Sequence, residues 1–89
     1  MRFPFEQVEL GNKKIRTFSP DVDDYELKWH QDLNDRKVTI LEGGGWQFQM
    51  ENELPIKLDD TKQIFIPKLA WHRVLKGGGS LVVEIEEFD

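Results

Sequence analysis

Cysteine is missing from this 89-residue chain, so neither a disulfide nor a thiolate metal site can staple the fold. No stretch approaches the roughly 20 apolar residues that a membrane-spanning helix requires. The opening residues, Met1 to Glu6, hold no apolar run of the signal-peptide kind, and the expectation is a soluble, cytoplasmic protein. Basic patches are also wanting. Net charge is −5, and Lys13, Lys14 and Arg16 form the only cluster of bases, which reads as a solvated hairpin tip. Nucleic-acid binders displace phosphate counterions with grouped bases, so that class is disfavoured. No phosphate-loop pattern G-x-x-x-x-G-K-[ST] occurs, no Ser/His/Asp set can be assembled, and no paired catalytic carboxylates stand out. Histidine is scarce, with His30 and His72 alone.

What is present argues for a folded domain. Charged residues make up 33% of the chain and hydrophobic residues only 38%, a balance that borders on disorder. Three Trp, one Tyr and six Phe weigh the other way, because disordered chains are poor in aromatics. So short a chain makes one domain with a thin core. A small fold without staples gains burial from a partner subunit, and a homodimer is expected.

Turn signals recur at the spacing of an all-β protein. Gly11-Asn12, Ser19-Pro20-Asp21, the polar corner 31–35, Gly43-Gly44-Gly45, the corner at Pro55 and Gly77-Gly78-Gly79 divide the chain into short extended runs. These runs fall at 5–10, 14–18, 25–30, 38–41, 46–50, 63–66, 71–75 and 80–88. Several alternate with a period of two, as in Trp46, Phe48 and Met50 against Gln47 and Gln49. No window shows a helical period. Seven to nine short strands would expose edges in an open sheet, so closure into a double-sheet jelly-roll barrel is expected. Residues 1–24 form an N-terminal hairpin and loop in this reading, and 25–87 the core barrel.

Three groups carry candidate chemistry. In extended chain, residues two apart share a face, so His30 and Asp32 can converge on one ion. If the barrel brings His72 to them, two imidazoles and one carboxylate leave coordination positions open and suit Fe(II), Mn or Zn. The plainer alternative is two half-buried histidines bonded to backbone, with Asp32 capping the corner or pairing with Arg36. Gln47 and Gln49 either line a pocket as uncharged donors and acceptors or form the solvent face of an ordinary strand. Trp46 and Phe48 are expected in the core.

The spacing of these residues resembles the cupin family. The first cupin motif is matched by His30-Gln31-Asp32 and by Gly43, with Asp32 at the second His position, Arg36 at the Glu position and Asp24 at the opening Gly. The second is matched by Pro67 and His72, with Thr61, Leu69 and Lys76 standing at two Gly positions and the Asn. The resemblance covers 25–85. It implies a small jelly roll with a metal-centred pocket at His30, Asp32 and His72. Arg36 cannot ligate a metal, since a guanidinium stays protonated and has no acceptor. It either grips the carboxylate or phosphate of an anionic ligand or forms a salt bridge with Asp32 or Asp35. Three functions follow: a metal-dependent enzyme acting on a small anionic substrate, a non-catalytic small-ligand binder, or a dimeric interaction scaffold in which the acidic last strand serves a partner surface.

Overall fold

A computed structural model describes residues 5–21 and 27–88. Eight strands are present: β1 (Glu6–Leu10), β2 (Lys13–Phe18), β3 (Asp35–Glu42), β4 (Gln47–Met50), β5 (Ile56–Lys57), β6 (Gln63–Ile66), β7 (His72–Leu75) and β8 (Leu81–Phe88). They form a five-stranded sheet ordered β1-β2-β8-β3-β6 and a three-stranded sheet ordered β5-β4-β7. Every pairing is antiparallel. The described residues hold no helix long and apolar enough to cross a membrane.

Alternation puts one face of each sheet inside. Leu81, Val83 and Ile85 of β8 are buried, with Val38 and Ile40 of β3, Ile66 of β6 and Phe48 of β4. Trp46 is fully buried, and its indole N–H donates to the Gly79 carbonyl at 2.6 Å. That bond satisfies the one polar atom of a large ring in an apolar setting. The Phe18 ring stands 5.6 Å from that of Trp46 and carries β2 onto the same core. The hairpin is thus integral to the sheet, because β2 pairs with β8 along its length.

The two glycine triplets meet. Gly79 N–H donates to Gly44 O at 2.9 Å, and a side chain at Gly44, where φ is +58°, would collide with the Ser80 carbonyl. Thr61 and Leu69, at positions where the resemblance puts glycine, have φ of 72° and 66°. Both lie in the left-handed region that favours glycine.

Three expectations need correction. The run 25–30 is not a continuous strand in its described part, where only His30 forms a bridge, to His72; Tyr25 and Asp24 lie outside the described residues. Strand β3 starts at Asp35 rather than residue 38, because its polar start pairs with acids of β8. Arg36 faces Glu87 and Lys37 faces Glu86, with ion pairs of 3.2 and 3.7 Å. The cluster of Lys13, Lys14 and Arg16 is not a solvated hairpin tip either, for Arg16 turns to the inner face of the sheet. Lys13 meets Glu84 at 3.2 Å and Lys14 meets Glu87 at 2.8 Å, so bases on both neighbours flank the acidic strand β8.

Candidate metal centre and cavity

The site is assembled by one pair of backbone hydrogen bonds. His30 and His72 exchange N–H···O=C bonds of 3.0 Å in each direction. Residues directly opposite each other in an antiparallel bridge project to the same face. The two imidazole rings accordingly stand 4.3 Å apart, edge to face. Asp32, two residues beyond His30, returns to that face.

The turn at 67–70 holds this corner in place. Leu69 N–H donates to Asp32 O at 2.8 Å, Gln31 Nε2 donates to Leu69 O at 2.8 Å, and Lys68 N–H donates to Asp35 Oδ1 at 2.8 Å. The left-handed backbone at Leu69 is part of this turn.

Each imidazole is oriented by a carbonyl two residues upstream. His30 Nδ1 donates to Lys28 O at 3.0 Å and His72 Nδ1 donates to Ala70 O at 2.9 Å. Those partners make Nε2 the nitrogen that each ring, when neutral, would offer to a metal, the arrangement that metal-ligating histidines commonly show. The candidate ligand atoms of His30, Asp32 and His72 lie within 4.8 Å of one another. His72 is buried, the Asp32 side chain is 9% exposed, and His30 is the open side of the cluster.

His72 Nε2 approaches Asp32 Oδ2 to 3.1 Å, yet that buried oxygen has no aligned hydrogen-bond donor. With the Nδ1 hydrogen committed to Ala70, His72 Nε2 faces the carboxylate oxygen either with a second proton or with a lone pair. Two acceptors at that distance require a cation between or beside them, either a proton or a metal ion. Metal–ligand bonds of about 2.1 Å set at right angles put neighbouring donors about 3 Å apart, so the residues fit an ion.

Electrostatics favour the metal-binding protonation states. Partial burial pushes the His30 pKa below its usual value, with a smaller push from His72, against the opposing bond to Lys28 O. Burial raises the Asp32 pKa, but contact with His72 and the charge of Arg36 outweigh it, and the carboxyl ends below its usual range. A neutral imidazole and an ionised carboxylate result.

Behind the cluster lies a cavity of about 410 Å³. Arg36 lines it, with Nη1 3.2 Å from Asp32 Oδ1 and Nη2 3.2 Å from Glu87 Oε1. Its Nε is buried and unpartnered. The salt-bridge expectation for Arg36 thus finds Asp32, together with Glu87. Gln47 and Gln49 do not line this cavity. Phe48 takes the inward position, Gln47 is exposed, and Gln49 accepts from Arg73 Nε at 2.9 Å and donates to Glu53 O at 3.0 Å. Gln47 is on the outer face, and Gln49 lines a separate recess with Trp29, Glu53 and Trp71.

Sequence reasoning missed Arg16, which also lines the cavity. Burial and the charge of Arg36, which lines the same cavity, lower its pKa. Strand parity groups it with Phe18, but only the pairing of β2 with β8 turns that face inward.

Neither a protein-family model nor a curated protein sequence matches the chain. Solved structures do. A cupin domain from Bordetella pertussis Tohama I matches with a TM-score of 0.63 and 19% identity, over 100% of this chain and 99% of that one. An RmlC-like cupin family protein with a double-stranded β-helix fold, from Methanocaldococcus jannaschii, matches at 0.67 and 11% identity, over 93% and 77%. The DMSP lyases RdDddP and RnDddQII match at 0.74 and 17% identity, over 86% of this chain; the chain spans 37% of the length of that lyase chain. The protein therefore has the cupin fold, an all-β double-stranded β-helix of two antiparallel sheets. Within it stands a two-His, one-carboxylate cluster with the donor set of a metal site.

Proposed function

We propose that the protein binds a divalent metal, Fe(II), Mn or Zn, through His30, Asp32 and His72, and takes a small anionic ligand into the adjoining cavity with Arg36 as an anchor. The observation that carries the metal reading is the convergence of His30, Asp32 and His72, whose candidate ligand atoms lie within 4.8 Å of one another while both Nδ1 atoms are bonded to carbonyls. A metal held there would supply a Lewis acid with open coordination positions. The chain's own residues would orient it: Lys28 O and Ala70 O fix the imidazoles, and Arg36 fixes the carboxylate. The similarity in fold to DMSP lyases is consistent with an enzyme of this kind.

Equilibrium dialysis of chelator-stripped protein against Fe(II), Mn(II) and Zn(II) tests the metal reading. One ion per chain is expected, with loss of 10-fold or more in affinity for Asp32→Asn, on the order of what disturbing a metal's supporting groups costs. No binding of any of the three ions ends the metal reading. A second reading, a ligand-binding cupin without metal, draws on the Arg36–Asp32 pair at 3.2 Å, in which the carboxylate already has a cationic partner. It predicts ligand binding that survives exchange of His72.

We further propose that the protein acts as a homodimer through the outer face of the five-stranded sheet. Val8 and Phe65 are 59% and 58% exposed on that face, and Phe88 also emerges there. Edge strand β1 is exposed along its whole length, which a second copy would cover.

A further inference from the structure

We propose that Arg16 and Arg36 together clamp the head group of the ligand, and that this ligand is a monocarboxylate with an apolar body. The proposal rests on the reading of the cavity as a ligand site and names its occupant by chemistry.

The cavity is divided by polarity. Arg16, Arg36, Asp32, His30 and His72 are among its polar lining groups. Most of the remaining wall is hydrocarbon or ring, including Val38, Ile40, Phe48, Leu58, Ile64 and Val83. A hydroxyl group set against that wall would be buried without a partner. Polyols and sugar phosphates are therefore poor occupants, whereas an aliphatic or aromatic body replaces water at no such cost.

The charged end is preorganised. Arg16 lies opposite Val83 on β8, which places it on the inner face of the sheet. Its Nε donates to Gln7 Oε1 at 2.6 Å and its guanidinium carbon lies 4.2 Å over the Phe5 ring. Those contacts fix the plane of the fork while using only Nε, and its terminal nitrogens enter no ion pair among the described residues. Arg36 adds a buried Nε without a partner. Asp32 and Glu87 offset the two guanidinium charges, and Lys14 shares Glu87. Arg16, Arg36 and Lys14 thus set three positive charges against the two negative charges of Asp32 and Glu87, and a carboxylate held by planar forks offsets the excess.

Calorimetric titration with butanoate, hexanoate, octanoate, hexanol and inorganic phosphate tests the assignment, on metal-loaded and on chelator-stripped protein. Affinity should rise about fourfold per added methylene until the cavity is filled. Hexanol should bind at least 10-fold more weakly than hexanoate, and phosphate more weakly still. Arg16→Gln should weaken hexanoate binding about 10-fold or more, and Arg16→Lys should fail to restore it, since an ammonium lacks the fork. Circular dichroism and retained metal stoichiometry verify that the variants fold. Phosphate binding as tightly as hexanoate, equal binding of acid and alcohol, or an unaffected Arg16→Gln variant overturns the proposal. Hexanoate binding that disappears on metal removal also overturns it, because the carboxylate would then be held by the metal. Binding that persists in protein unable to hold metal supports the clamp while the metal reading fails.

Discussion

Leu69 does work that a glycine would do more cheaply. Its φ of 66° is a conformation that costs a residue bearing a Cβ about 1–2 kcal/mol, partly offset by the greater chain entropy a glycine would lose. The turn keeps this geometry because Leu69 N–H and O both bond the corner that carries Asp32. Leu69→Gly should therefore stabilise the fold by about 0.5–1 kcal/mol, read as a higher urea midpoint; destabilisation would mean that the exposed leucine side chain makes a contribution its exposure does not suggest. At this scale the pH response is also set. In metal-free protein, the folded-state pKa of His30 lies below 6.5, so on acidification the unfolded chain takes up a proton first. Asp32, held below 3.8, acts in the same direction at lower pH. Stability present near neutrality should fall first below about pH 6.5 and again below about pH 3.8, as the proton-linkage slope requires. Chemical denaturation across that range checks this, and a midpoint constant from pH 7 to pH 5 would contradict the His30 part.

Among the elements, β8 organises the larger sheet. Its inner face, Leu81, Val83 and Ile85, is the centre of the core, and its outer and terminal acids meet bases on β2 and β3. The inner alternation of 81–85 and 46–50 was legible in the sequence because burial on one face leaves a period of two. The start of β3 and the two-residue β5 were not, because the former depends on cross-strand charge pairs and the latter on one short pairing with Gln47 and Phe48. Phe48 is inside as expected, which leaves Gln47 on the outer face, whereas the recess that Gln49 lines depends on the loops carrying Trp29 and Trp71. The loop holding Trp46 depends on the contact between the glycine triplets. Trp46→Ala should cost about 3–5 kcal/mol, given a fully buried ring whose N–H is satisfied, with denaturant unfolding as the check. A loss below about 1 kcal/mol would show that the site collapses around the missing ring.

For the molecule as a whole, the cupin architecture was readable from turn spacing and from the places of His30, Gly43, Pro67 and His72, since several spacings agreed at once. The meeting of the two histidines was readable as a condition; the His30–His72 bridge brings the rings together, with His72 buried and His30 on the exposed side. Arg16 was not readable as a cavity residue, because its place depends on β2 pairing with a strand some seventy residues later. Dimer formation belongs to this scale too. Light scattering should report two chains per particle, and Phe65→Glu with Val8→Glu should shift the population to one; a monomeric wild type would remove the sheet-face interface.

The most direct measurement of the central claim is X-ray absorption spectroscopy on metal-loaded protein, which reads the atoms around the ion. The account predicts two imidazole scatterers and oxygen donors at about 2.0–2.2 Å, with one imidazole lost in folded His72→Ala. A spectrum of a fully hydrated ion, or one unchanged in that variant, would contradict it.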